Sequence, residues 1–450
     1  MSLAAAERPA EDERSAEDVA RGMRSFMIIW AAQLVARIGN GLTAFGLSVH
    51  VYQQTGLSAS VAAVTMAAFL PGVLLAPLGG VLADRFDRRL LMIAGDAMSA
   101  IGLVALLLAF RGGFDGVVVV CVCVAFSSVF TSVMDPAYRA TVTDLLTPRQ
   151  YARAGGLVQF ASASQYLVSP ALAGLLMAWF GIEVILLIDI ATMAVTTLCM
   201  AAVWRTVKAV TRTADRGFWA DLRSGVAFLA GHRGITVLML LVTLVTFCMG
   251  FLQTLLTPML LDLSSEEVLG VVRSVAAVGM VVASLAIGIF NMGGRHRAYM
   301  ATGLAVGGVV VALMGVTVNV LLIGALAFVF FMTLPPLNTS IEVMVRTAIP
   351  NETQGKVWGL VGLISQLGYI VAYAVSGVLA DSVFNPLLTG GGALADSLGS
   401  VIGVGESRGI GLMFVIVGAI LVGTAVALPR MKSIREMEGA MSRQTTEMKR

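Results

Sequence analysis

Charge is scarce in this sequence, and histidine is scarcer. Lys, Arg, Asp and Glu make up 13% of the chain, about half the share of a soluble domain. The 3 histidines in 450 residues, His50, His232 and His296, stand far apart with no nucleophile or ligand cluster around them. That spacing argues against a histidine-based metal or catalytic centre. The 4 cysteines, Cys121, Cys123, Cys199 and Cys248, all fall in apolar stretches. In "CVC" the two thiols point to opposite sides of a helix, so neither a disulfide nor a shared metal is expected. The only Gly-Lys pair, Gly355-Lys356, lacks the upstream glycine and the following Ser or Thr of a phosphate loop. No ATP site, metal or cofactor is therefore expected, and no enzyme.

Apolar residues fill the space: 58% of the chain is hydrophobic, and the mean hydropathy is +0.89. Apolar runs recur at close to the roughly 20 residues that cross a 30 Å hydrocarbon core. Twelve spanning helices are predicted, at 26–50, 60–82, 90–110, 117–138, 155–179, 183–204, 235–258, 269–291, 299–318, 321–345, 357–381 and 409–428. Residues 1–25 mix Glu, Asp and Arg and are not followed by the short apolar core of a signal peptide. They are expected to form a mobile tail before a retained first helix. Lys and Arg are enriched in cytoplasmic segments, and with the amino terminus inside, 26 of the 30 fall on that side. Both termini are thus expected in the cytoplasm. The net charge of +3 reflects topology, and no nucleic-acid partner is needed to explain it.

A long-period repeat organises these spans. "GLVQFASASQYLVSPALAGLL" at 156–176 and "GLVGLISQLGYIVAYAVSGVL" at 359–379 share nine of 21 positions at an offset of 203, among them Gly156/Gly359, Tyr166/Tyr369 and Gly174/Gly377. Each copy follows a segment opened by proline, Pro148 or Pro350. Copies separated by six spans run in the same direction, so the halves are parallel repeats. The expected organisation is a tail (1–25), a first six-helix bundle (26–204), a linker (205–234), a second bundle (235–428, with an outer loop at 382–408) and a second tail (429–450). The outer loop is expected to be a lid or a loosely ordered insertion, and the basic tail is expected to lie against anionic lipid.

The stretch "GGVLADRFDRR" between spans 2 and 3 resembles the signature of the major facilitator superfamily, G-x-x-x-D-R-x-G-R-R, with Gly80, Asp84, Arg85, Arg88 and Arg89 in register. Asp87 replaces the second glycine, and a left-handed turn is expected there. "DPAYRATVTDLLTPRQYARAGGLVQFASASQYLVSPALAGLL" is similar to the drug and macrolide exporter branch. The resemblance implies an all-α membrane protein of two parallel six-helix repeats that acts as a drug:proton antiporter. It also implies a latch in which Asp84 caps helix 11 and Arg88 ties the loop to an acid on helix 4.

Charges inside spans mark the candidate pathway. Arg37 lies 11 residues past Phe26, about 16 Å into the membrane at 1.5 Å per residue. Asp135, toward the inner end of span 4, has two readings: a proton carrier that meets Arg37 or a cationic substrate, or the acid gripped by Arg88. Glu342 on span 10 has two as well, proton coupling or an i,i+4 pair with Arg346. Asp189 on span 6 is a weaker candidate. Gln33, Asn40, Gln253, Thr257 and Asn338 are assigned to the cavity by family analogy. The function these expectations assemble is export of small amphipathic molecules in exchange for protons, by a monomer in a bacterial inner membrane. A dedicated exporter of one metabolite, siderophore or lipid is the alternative within transport, and a non-transporting receptor the alternative outside it.

Overall fold

The computed structural model describes residues 16–147, 150–204, 232–289, 295–349, 354–405 and 407–447. Among these residues the chain is helical, without strands. The helices are α1 (Ala16–Thr55), α2 (Ser58–Arg85), α3 (Arg88–Arg111), α4 (Val117–Leu145), α5 in two pieces (Tyr151–Leu167 and Ser169–Phe180), α6 (Ile182–Ala202), α7 (Arg233–Leu261), α8 (Glu266–Ile289), α9 (His296–Val316), α10 (Val320–Ala348), α11 (Gln354–Leu379), α12 (Arg408–Ala427) and α13 (Lys432–Glu447). Eleven are long and apolar enough to cross a membrane. The twelfth span is α1, whose 40 residues include Gln33, Arg37 and Asn40 in mid-helix. Those three polar residues dilute an otherwise apolar run.

Local chemistry sets several ends and bends. Asn319 caps α10, its side chain accepting from the Leu322 N–H at 3.1 Å. In α5, Pro170 has no N–H to donate to the Tyr166 carbonyl, and the helix breaks at Val168. Pro136 in α4 likewise leaves the Ser132 carbonyl without its helical donor.

Packing follows the repeat. α2 packs on α4 as α8 packs on α10, α3 on α6 as α9 on α12, and α1 on α5 as α7 on α11. Among the described residues the two most extensive pairings between the halves are α5 with α8, and α11 with α2, with smaller contacts of α7 on α1 and α2. The two larger ones are the same pairing shifted by six helices. The repeat-related glycines sit in them: a methyl group on Gly174 would come 2.6 Å from the Glu266 carbonyl oxygen, and one on Gly377 would come 2.6 Å from that of Ser58. The end of the bundle that carries Ala16 and α13 is called the inner end below.

Four expectations need correction. α1 begins at Ala16, so residues 16–25 are helical and not part of a mobile tail. The second tail is not simply laid against lipid: α13 packs on α7, α9 and α10, burying Ile434, and Arg297 pairs with Glu438 at 3.1 Å. The outer segment after α11 is folded, with Leu388 and Ile402 buried against Leu412 of α12 and the Gly405 N–H donating to the Leu388 carbonyl at 3.0 Å. Asp87 is extended, at φ −61° and ψ 114°, because it is the N-cap of α3 and not a left-handed turn residue. The linker from 205 to 231, Pro148 and Pro350 lie outside the described residues, as does the side chain of Asp84.

The central cavity as candidate functional site

Between the halves lies a cavity of about 380 Å³, walled by α1 to α6 on one side and α7, α8 and α10 on the other. Its surface is mostly apolar, with Phe45, Leu252 and Phe331 among the larger side chains. Polar groups break that surface at a few points. Asp189 of α6, only 1% exposed, accepts from the Thr43 hydroxyl of α1 at 2.6 Å. Gly39 permits this approach, since a methyl group there would stand 2.7 Å from the Asp189 carboxylate. On the facing wall, Gln253 of α7 accepts from the Tyr373 hydroxyl at 2.8 Å. Arg273 of α8 donates from Nη2 to the Gln253 carbonyl at 2.7 Å and to the Thr257 hydroxyl at 2.6 Å.

A smaller pocket adjoins it on the first-half side and collects Gln33, Arg37, Asn40, Asp96 and Asp135. Arg37 donates to the Asp135 carboxylate at 2.8 Å. Its Nε is buried without a partner. Gln33 is buried with its amide 3.8 Å from the Met134 sulfur. Asp96 is buried on α3 within hydrogen-bonding reach of Thr196 on α6. Asn40 lines both spaces and links them. A carboxylate buried at membrane depth is costly unless it is hydrogen-bonded, paired or protonated. Two such groups, Asp96 and Asp189, are buried on the first half without a cation, while Asp135, more exposed, is paired with Arg37.

The geometry sorts the remaining candidates. Asp135 meets Arg37, and Arg88 instead pairs with Asp144, farther along α4 toward the inner end. The reading of Asp135 as the acid held by Arg88 is therefore replaced by Asp144. Arg88 is 4% exposed and also donates from Nε to the Ala83 carbonyl at 3.1 Å, which pins the α2–α3 turn to α4. Arg89 pairs with Asp87, donates to the Trp204 carbonyl at 2.9 Å and stacks 4.5 Å above the Trp204 ring, tying the same turn to α6. The Arg89 hydrogen bond holds the Asp87 carboxyl below its ordinary range. Arg85 is exposed. Glu342 is exposed and pairs with Arg346 at 2.7 Å, away from the cavity wall, and Asn338 is exposed as well.

Two helical halves packed as parallel repeats around a mostly apolar cavity with a few buried polar groups narrow the identity to a membrane transporter. Residues 29–259 match the profile of the Major Facilitator Superfamily. The chain belongs to that family. Macrolide efflux protein A of Streptococcus pyogenes is 25% identical over 424 residues, covering 92% of this chain and 97% of that protein. The multidrug efflux pump Tap of Mycolicibacterium fortuitum is 25% identical over 377 residues, covering 79% and 89%. Among solved structures, the nucleoside transporter NupG superposes with a TM-score of 0.70 at 13% identity, covering 91% of this chain and all of that one. A bacterial homologue of the Spinster transporter, in an inward-facing occupied state, superposes at 0.68 with 13% identity, covering 91% and 97%. At such identity these structures support the fold alone.

Sequence reasoning missed two residues of this transporter's cavity region. Asp96 is a lone acid in the apolar run "LLMIAGDAMSAIGLV", the same signal that marked Arg37. Arg273 is hidden because a span expected at 269–291 puts it within the first turn or so of the helix. The structure starts it at Glu266, which puts Arg273 about 10 Å along it at 1.5 Å per residue.

Proposed function

We propose that this transporter exports small amphipathic molecules from the cytoplasm of a bacterium in exchange for protons, as a monomer with both termini inside. The observation that carries the reading is the cavity itself, a mostly apolar surface with Asp189 buried in one wall and Asp96 buried in the adjoining pocket. The efflux proteins among its relatives support the direction of transport. In this reading Asp189 and Asp96 carry protons, while the Arg37–Asp135 pair makes and breaks as the halves rock. Gln33, Asn40 and Gln253 line the route. Gly80, Asp84 and Arg85 form the inner latch, in which Asp84 caps α11 when the inner end closes, and Arg88 and Arg89 anchor the same turn within its own half.

The test is accumulation of a fluorescent amphiphile by everted vesicles under an imposed proton gradient. The wild type accumulates it and releases it when the gradient collapses. Asp189→Asn keeps downhill exchange but loses uphill accumulation, because the amide preserves shape while losing the titration. Accumulation by the wild type that ignores the proton gradient, or an Asp189→Asn variant that pumps normally, overturns the coupling.

A further inference from the structure

We propose that Arg273 is an anion-recognition site and that the substrates this cavity favours are amphiphiles carrying a carboxylate. The inference rests on the transport reading above and names the substrate class. Among the described residues that line the cavity, Arg273 is the one cation. Nη2 is committed to the Gln253 carbonyl and the Thr257 hydroxyl, which fix the guanidinium on the wall of α7 and α8. The Phe45 ring, 5.7 Å from the guanidinium carbon, flanks it from α1.

Among the described residues Nε and Nη1 have no hydrogen-bond partner, and Arg273 lines the cavity wall. They therefore remain open to the cavity. Among the described residues no carboxylate lies within ion-pairing distance of Arg273, whereas Arg37 and Arg88 each have one. The charge at depth costs about 2.5–3.5 kcal/mol on insertion scales. Both anchors are neutral acceptors, which hold the group in place without cancelling its charge. A planar fork with free N–H donors, fixed in a mostly apolar cavity, matches the geometry and charge of a carboxylate. The opposite wall complements it: the acids lie on α3, α4 and α6, away from α8. An anion is thus attracted to one side only.

The experiment uses rhodamine B and its ethyl ester, which share one aromatic body and differ in whether the carboxylate is free. Full-length protein in lipid nanodiscs is titrated with each dye by fluorescence polarisation. The wild type is expected to bind the free acid about tenfold more tightly than the ester, the scale of one charge-assisted contact. Arg273→Gln removes that preference by weakening the acid about tenfold while leaving the ester within twofold, and retained ester binding reports a folded cavity. Arg273→Lys keeps the charge without the fork and falls between the two. Equal affinities in the wild type, no binding of the acid, or an Arg273→Gln variant that weakens both dyes alike overturns the proposal. If Arg273→Gln does not fold, the wild-type ratio decides alone. Export is read separately in everted vesicles: acid-selective binding without energised uptake sinks the export reading and leaves the site standing. Energised uptake without acid preference does the reverse.

Discussion

The two ends of the molecule are held together by different kinds of contact. At the outer end a set of polar bonds crosses from one half to the other, beside two that stay in the first half, Arg111 with Glu183 at 3.2 Å and Gln54 with Asp115 at 2.7 Å. The Tyr52 hydroxyl donates to Asp262 at 2.7 Å, the Gln53 amide donates to Glu266, and the Asp381 carboxylate accepts the Ser58 and Ala59 N–H groups at 3.1 and 2.8 Å. The glycine contacts of Gly174, Gly270 and Gly377 cross there too. At the inner end, among the described residues, three ion pairs lie within a half: Arg88 with Asp144, Arg297 with Glu438 and Arg346 with Glu342. Bonds that cross the seam must break when the halves rock, whereas bonds within a half can persist through the cycle. The outer set therefore selects this conformation, and the inner set maintains the shape of each half.

The largest effect should come from forcing the outer seam apart. Gly377→Leu places a side chain where even a methyl group would meet the α2 backbone. The expected outcome is a folded protein held open at the outer end, with transport reduced more than tenfold, on the scale of overpacking that costs about 1–3 kcal/mol. Reactivity of an outer-cavity cysteine toward an impermeant reagent reads the state. Gly174→Leu should act alike, because it is the same position in the other repeat. Gly362→Leu, with open space around the glycine, should do neither. A Gly377→Leu protein that transports normally would show that this seam does not need to close.

A smaller shift is expected at Asp381. Its carboxylate meets the first N–H groups of α2, where unsatisfied donors and partial positive charge make an anion worth about 1 kcal/mol. Asp381→Asn should raise the outer-open population about fivefold with little change in expression. Spectroscopic distances between labels at the outer ends of α2 and α11 would measure it. An unchanged distribution would mean that the glycine contacts alone hold the seam.

How much of this was legible beforehand differs by kind of feature. The spans could be read because a bilayer imposes one length on every apolar run, and the Gly174/Gly377 pair appeared because duplicated helices keep duplicated contacts. Arg37 and Asp135 stood out as charges in apolar runs, and the fold brings them together. The partner of Arg88 did not stand out, because α4 offers more than one acid and only the docking of the α2–α3 turn chooses Asp144. Asp381 was equally hidden, since its function depends on the approach of a helix 323 positions away in sequence. Glu342 kept two readings because depth along a helix says nothing about which way the residue faces, and the structure shows the pair with Arg346.

Arg88→Ala sharpens the comparison from the inner end. Arg88 is nearly buried against a half-buried Asp144, and removing one partner of such a pair approaches the ~3 kcal/mol of a broken buried ion pair. Thermal stability should fall clearly. The ratio of outer-open to outer-closed protein should stay put, because the pair lies within one half. A shifted ratio without lost stability would place Arg88 in the seam and dissolve the distinction.

The smallest effect concerns Asp87, and its sign depends on pH. The carboxylate caps α3, accepting the Arg89 N–H at 3.0 Å, and accepts again from the Arg89 guanidinium at 2.9 Å. Those bonds hold its pKa below the ordinary 3.8. A depressed carboxyl contributes stability that is complete above its unfolded value and is lost as pH falls through its folded value. Asp87→Ala should therefore melt lower than the wild type at pH 7, by the ~1 kcal/mol typical of an N-cap. The gap should hold down to about pH 4 and close below it, as the wild-type carboxyl protonates. Comparing the two proteins at each pH cancels the titration of the other acids they share. A gap that persists undiminished at pH 2 would show that Asp87 acts by shape and neutral hydrogen bonding, and that its charge contributes nothing to pinning the turn. The outer-open ratio, measured on the same samples at pH 7, should not move, because both partners of this bond travel with the same half.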